Sequence, residues 1–114
     1  AYAAVLAAHE LVKEKLVSGM TGNDGDAIAR DCLERAGYGK YFTHSLGHGI
    51  GLNIHEFPFV RRGGTDVLKD GMVFSDEPGV YLAGEYGVRI EDTCLVTPEG
   101  NEPLTPATKE LIIL

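Results

Sequence analysis

The order of elements along the chain predicts an α+β fold, with two N-terminal helices packed on a curved antiparallel sheet. Two observations carry this reading. Apolar residues recur at helical spacing through the first third. After residue 56 they gather instead into short, strand-length runs separated by Gly, Pro and Asp. With 114 residues, 44% apolar and 24% charged, the chain suits one domain with a single modest core.

Residues 1 to about 18 read as an amphipathic helix, because Tyr2, Val5, Leu6, Val12 and Leu16 lie near a 3.6-residue period. Lys13 and Lys15 sit towards its C-terminal end, where cations suit the helix dipole, and Ser18-Gly19 stops it. His9 falls on or near the apolar stripe and reads as a satisfied helix histidine rather than a ligand. A second helix starts near Asp24 or Asp26, either of which can cap free amides. Its apolar face is Ala27, Ile28, Ala29, Cys32, Leu33 and Ala36, and Gly37 is placed to end it in a left-handed conformation. Phe57 to Val60 is apolar but broken by Pro58, a weak strand at best. Lys69-Asp70-Gly71 is a turn leading into the strand Met72 to Ser75, and Val80 to Leu82 follows after Asp76 to Gly79. Val88 to Thr97 is the longest strand candidate, closed by the turn Pro98 to Asn101. Leu111 to Leu114 is either a last strand or a cut element.

Composition excludes several function classes. No apolar run approaches the ~20 residues of a membrane span, and the alanine-rich start, interrupted by His9 and Glu10, lacks the basic region of a signal peptide. A net charge of −7 argues against nucleic acid, whose binding rests on clustered Lys and Arg. Cys32 and Cys94 are too few and too far apart for a disulfide framework or a CxxC zinc site. They read as small buried thiols in a reducing compartment, with the cytoplasm as the expected location.

The stretch richest in chemistry is His44 to Glu56, which holds three of the four histidines and glycines at 47, 49 and 51. His44 and His48 are four apart, as in a helical metal motif, but each glycine would cost a helix ~1 kcal/mol against Ala, which argues against a helix here. The glycines suit an extended ribbon that something approaches closely. Strand-like alternation would put His44, Leu46 and His48 towards one side. Two glutamates stand out by context. Glu77 follows an apolar strand, where an unpaired carboxylate is expensive. Glu91 lies inside another, where alternation puts Arg89, Glu91 and Thr93 on one face and Val88, Ile90, Asp92 and Cys94 on the other. Arg89 and Glu91 either form a same-face ion pair or divide between a substrate carboxylate and a cation. Imidazole and carboxylates without thiolate suit Mn, Co, Zn or Fe.

Gly47 to Leu52 with His55-Glu56, then Gly71 to Tyr81, then Gly87 to Thr93, resemble in order the three signatures of the pita-bread metallopeptidases. The form Val88-Arg89-Ile90-Glu91-Asp92 is similar to the Xaa-Pro dipeptidase (prolidase) and aminopeptidase P branch. The resemblance implies half of a pita-bread fold and hydrolysis of the bond between an N-terminal residue and proline, at two divalent metal ions, Mn foremost and Co or Zn as alternatives. It implies His48, Glu77 and Glu91 as metal ligands and Glu77 also as proton shuttle. By the same resemblance His55 hydrogen-bonds the substrate and stabilises the tetrahedral intermediate, while His44 and Arg89 line the pocket for proline and the substrate carboxylate.

The resemblance covers nearly the whole chain but only the C-terminal half of the family's catalytic domain, so residues 1–114 are expected to be a fragment. Two further aspartate ligands of the family lie upstream, and no Asp here sits in a matching context. Metal binding by the chain alone is therefore expected to be weak or mononuclear, and activity absent. Asp76 is a departure, standing where the family more often has an apolar residue; it is expected to face away from Glu77. The expected partners are a proline-containing dipeptide or peptide, the missing N-terminal half, or a second copy of the chain pairing through open strand edges. The rival readings are a non-catalytic protein-binding module of the same fold and a creatinase-like hydrolase without metal.

Overall fold

The structure, a computed structural model, describes residues 1–105 and 107–114. Helix α1 spans Tyr2–Lys15, ending earlier than its apolar spacing predicts because Leu16 turns to an extended backbone. Leu16 is nevertheless fully buried and continues the line of Val5, Ala8 and Val12 into the core. The last carbonyls of α1 are not left unpaired. The side-chain amide of Asn101 donates to the carbonyl oxygens of Val12, Lys13 and Leu16 at 3.0, 3.2 and 3.1 Å.

Helix α2 spans Gly22–Arg35 and starts earlier than Asp24 or Asp26 suggested. The cap is Thr21, whose hydroxyl accepts from the Asp24 N–H while the Asp24 carboxylate accepts from the Thr21 N–H at 2.9 Å. The Thr21 N–H, together with the Thr21 hydroxyl, which donates to the same carboxylate oxygen at 2.8 Å, holds the Asp24 carboxyl below its ordinary range. Asp26 is not a cap; it is buried within the helix, paired with Arg30 at 2.6 Å, and accepts from the Leu46 N–H. Gly37 ends the helix as expected, at φ 83°, with Tyr38 N–H on the Leu33 carbonyl and Gly37 N–H on that of Glu34. Ala29 and Leu33 are the buried centre of the α2 face, whereas Ala36 at its end is exposed.

After a short 3-10 turn at Gly39–Tyr41, the chain forms β1 (Gly47–Gly49), β2 (Glu56–Val60), β3 (Val73–Asp76), β4 (Gly79–Leu82), β5 (Tyr86–Arg89), β6 (Asp92–Val96) and β7 (Asn101–Pro103). Five of them make an antiparallel sheet in the order β2-β1-β3-β6-β7, and β4 with β5 makes a separate hairpin. β2 is a strand after all. It lies at the sheet edge, and Pro58 falls where its pairing with β1 is irregular, so the missing N–H breaks no ladder bond. The single strand expected from Val88 to Thr97 is two. β5 pairs with β4, β6 pairs with β3, and the chain changes sheets at Ile90-Glu91. Asn101, expected to close a turn, instead opens β7. Leu111 to Leu114 form no strand, and their side chains are exposed.

The helices share one core with the sheet. Val5, Val12 and Leu16 of the first helical region, Leu33 of α2, and Leu46, Val60, Phe74, Cys94 and Val96 from the sheet side are all buried. Cys94 is a buried thiol as expected, its pKa pushed up to about 12 by burial and then by nearby Asp76 and Asp92. Cys32 is only half-buried.

Candidate active site

The glycine ribbon is extended only at β1, and its glycines have a visible cause. A Cβ on Gly47 would run into the carbonyl oxygen of Ser75 on β3, and one on Gly49 into the carbonyl of Phe57 by β2. The approach these residues permit is that of the chain's own neighbouring strands. The alternation expected for His44, Leu46 and His48 does not hold. Leu46 is fully buried in the core, while His44 and His48 both line a cleft, because the chain bends at His44 and Leu46 before β1 begins.

That cleft has a volume of about 480 Å3 and is lined by His44, Ser45, Gly47, His48, His55, Phe59, Arg61, Glu77 and Arg89. A second concavity of about 470 Å3 lies at Glu10, Glu14, Glu99 and Glu102, but it holds no imidazole and none of the residues singled out above as chemical. The first cleft gathers five of the six residues that the sequence nominates: His44, His48, His55, Glu77 and Arg89. Glu91 stands at its edge, exposed and joined to Arg89.

His48 and Glu77 are in contact, Nε2 to Oε1 at 3.2 Å. The other ring nitrogen of His48 lies 2.9 Å from the Gly49 carbonyl, which can only accept, so Nδ1 carries a hydrogen. Ser75 Oγ donates to the same Glu77 oxygen at 2.8 Å, fixing the carboxylate. The neutral His48 ring would thus turn a lone pair towards a carboxylate oxygen. Two acceptors at this distance require a cation between them or at their side, either a proton or a metal ion. Nitrogen and carboxylate oxygen are the donors that a Mn, Co or Zn ion takes. The residues present therefore fit part of a divalent-metal site. Among the described residues, no three His, Cys, Asp or Glu side chains stand close enough to hold one ion together.

Arg89 links the two glutamates instead, with Nε 3.4 Å from Glu91 Oε2 and 4.0 Å from Glu77 Oε2. The hydroxyl of Tyr81 does most to raise its pKa, desolvation opposes, and Glu91 and Glu77 add smaller contributions upward. Both alternatives for Arg89 thus have a basis, since the ion pair with Glu91 is present and the side chain also lines the cleft. His55 is exposed and packs edge-on against His48, ring centroids 4.6 Å apart.

Tyr81, Ser75, Phe59 and Arg61 were not nominated by the sequence. Tyr81 Oη lies 2.9 Å from His44 Nε2, and His44 Nδ1 lies 2.7 Å from the Ser45 carbonyl. The carbonyl demands a hydrogen on Nδ1, so Nε2 accepts from the tyrosine hydroxyl. The ring of Tyr81 has room because its cross-strand partner is Gly87 and Gly79 lies under its hydroxyl. An aromatic residue flanked by glycines at hairpin spacing was the available signal. For Ser75 it was position, two residues before Glu77 and so on the same strand face. Arg61 stacks over the Phe59 ring at 5.2 Å, a contact that nothing in the local sequence announces.

Asp76 faces away from Glu77, as expected. It is fully buried against α1, and His9 Nδ1 stands 3.0 Å from its Oδ2. His9 Nε2 lies at the same distance from Asp92 Oδ2 and is hydrogen-bonded to it, so His9 is a buried helix histidine paired with two aspartates and not part of the cleft.

The pattern of metallopeptidase family M24 matches residues 1–98. The chain belongs to that family. It is 51% identical to the Xaa-Pro dipeptidase of Lactobacillus delbrueckii subsp. lactis over 84% of this chain and 26% of that protein. To the Xaa-Pro dipeptidase of Pyrococcus furiosus it is 48% identical over 97% of this chain and 32% of that one. Among solved structures, the Xaa-Pro dipeptidase from Bacillus anthracis matches with a TM-score of 0.96 at 50% identity, over 99% of this chain and 32% of that one. The prolidase from Pyrococcus furiosus matches at 0.90 and 48% identity, over 94% and 32%. The fold is therefore half of a pita-bread fold, two helices on an antiparallel sheet. The M24 chain spans about a third or less of the length of these relatives.

Proposed function

We propose that residues 1–114 are the C-terminal half of the catalytic domain of an Xaa-Pro metallopeptidase, hydrolysing the bond between an N-terminal residue and proline. One observation supports this above the rest. In a chain of family M24, His48 Nε2 and the Glu77 carboxylate, donor types that a divalent cation takes, meet at 3.2 Å in a cleft. His48, Glu77 and Glu91 are assigned as metal ligands, which asks Glu91 to leave Arg89 and turn into the cleft. The full site takes two divalent ions, Mn foremost and Co or Zn as alternatives, its other ligands being two aspartates outside this chain. Divalent cations held there supply Lewis acidity and a lowered pKa for the attacking water.

The residues of this chain do the rest. Glu77, held by Ser75, receives the proton of the attacking water and returns it to the leaving proline nitrogen. His55 donates to the oxygen on which negative charge develops. Arg89 and His44, steadied by Tyr81, line the place for the proline ring and the substrate carboxylate. Arg89 suits a carboxylate because its planar fork can engage both oxygens. The substrate is a proline-containing dipeptide or short peptide, and the location is the cytoplasm. Among the described residues, no helix is long and apolar enough to cross a membrane.

Alone, the chain binds metal weakly or as a single ion and does not hydrolyse peptide. Its partner is the missing N-terminal half or, in its place, a second copy of itself. The test is metal content together with hydrolysis of an Xaa-Pro dipeptide, on this chain alone and mixed with the upstream half. Activity and bound metal only in the mixture support the reading. A folded complex with neither favours a non-catalytic binding module. Sedimentation showing a monomer at micromolar concentration removes the second-copy alternative.

A further inference from the structure

The proposed reaction leaves one imidazole unused, that of His9. Asp76 and Asp92 stand directly opposite each other in the β3–β6 ladder and form its last pair. Carboxylates in facing positions repel, and these two are buried, with Asp76 fully enclosed. Beyond this pair the strands part, Glu77 leading towards β4 and Glu91 arriving from β5. The end of the ladder thus sets where both glutamates begin.

His9 fills the gap behind that end. Its two ring nitrogens each lie 3.0 Å from a carboxylate oxygen, Nδ1 from Asp76 and Nε2 from Asp92. The contact with Asp92 is a hydrogen bond, while the N–H facing Asp76 is off the line of a good one, so charge rather than directional bonding binds that pair. Lys109 Nζ lies 2.7 Å from the other Asp92 oxygen, and Thr105 donates to it at 2.8 Å. Two cations thereby match two carboxylates. Sequence positions 9, 76 and 92 meet at one point, with the helix, β3 and β6 each giving one group.

We propose that His9 is a positioning residue, which holds Asp76 and Asp92 together across β3 and β6 and so fixes the separation of Glu77 and Glu91 on the opposite face. The proposal rests on the reading of those glutamates as metal ligands. His9→Leu leaves two buried carboxylates facing each other. Val12→Ala removes a buried contact from the same helix without touching them and serves as the control.

The experiment records the carboxyl 13C signals of Glu77 and Glu91 and the ring 15N signals of His9, with Mn2+ affinity measured by calorimetry. Wild type shows two slowly exchanging ring N–H signals. His9→Leu shifts both glutamate carboxyls and weakens Mn2+ binding by roughly tenfold or more, the scale of losing an outer support of a metal site. Val12→Ala moves neither. If His9→Leu does not fold, the double variant His9→Leu/Asp76→Leu decides, since it removes charge and counter-charge together. The double variant folds without the His9 tie, so displaced glutamate signals in it support the proposal, and wild-type ones overturn it. Glutamate signals in folded His9→Leu that match those of Val12→Ala overturn it as well. Absence of Mn2+ binding in wild type overturns the metal reading alone, because the carboxyl signals still decide the role of His9.

Discussion

The two faces of the β3–β6 strand pair use the same residue type in opposite ways. On the face towards α1, Asp76 and Asp92 are buried and matched by His9 and Lys109, cation for anion. On the face towards the cleft, Glu77 and Glu91 share the single guanidinium of Arg89, and Glu77 also faces the ring nitrogen of His48. A buried carboxylate must be neutralised or it unfolds the protein. One in a cleft need not be fully matched by the protein's own cations, and a bound cation can supply the rest. The contrast teaches where to look for chemistry: the back of the pair holds the strands, and the front is left with charge to spend on a ligand.

The largest effects should separate the faces cleanly. Phe74→Ala, in the core behind the sheet, should cost ~3–5 kcal/mol in chemical denaturation, since Phe74 is fully buried. Glu77→Gln at the front keeps the shape of the side chain and should cost less, about 1–2 kcal/mol, since Ser75 still donates to its oxygen. Comparable losses in the two variants would break the division. Asn101→Ala comes next. It leaves three carbonyls at the end of α1 without their shared donor, and denaturation should show a loss of ~1–3 kcal/mol with no change in metal affinity. Thr21→Ala removes the cap of α2 and should cost ~1 kcal/mol.

The back face should also betray itself through pH, as a gradual change. Burial pushes the Asp76 carboxyl up to about 6, against the opposing pull of His9. Burial lowers the His9 pKa, but its two aspartates outweigh that and leave it raised. Between the ordinary and the raised values the folded chain holds more protons than the unfolded one, so stability falls as pH climbs from the ordinary carboxylate value through about 6 for Asp76 and on above the ordinary histidine value for His9. Asp24 and Asp92, whose pKa values are lowered, act only below the ordinary carboxylate range and do not reverse the slope there. Urea midpoints across this range that rise with pH would contradict the pairing.

Much of this division was legible in the residues. Period-2 alternation put Arg89 and Glu91 on one face and Ile90 and Asp92 on the other, and their burial agrees. Gly37 announced the end of α2 because only a left-handed residue closes that turn. The change of sheets at Ile90-Glu91 was not legible, since the alternation runs through it unbroken and only the pairing partners differ. Nor was β7, whose three residues are too few to show a period. His9 illustrates the same limit: its apolar helical setting was clear, but its partner Asp92 lies 83 positions away. The three signatures joined His48 to Glu77 through resemblance, and the structure joins them by contact at 3.2 Å. Tyr81 lay within a signature, yet its role appears only once the hairpin sets it over two glycines and beside His44.

The most direct measurement is a calorimetric Mn2+ titration of wild type and Glu77→Gln, each with its thermal midpoint recorded. A saturable site in wild type, lost in Glu77→Gln while the protein stays folded, is the expected result and places the cation at the front face. Equal binding in both proteins, or loss of binding only together with loss of the fold, would contradict the assignment of Glu77 as a ligand.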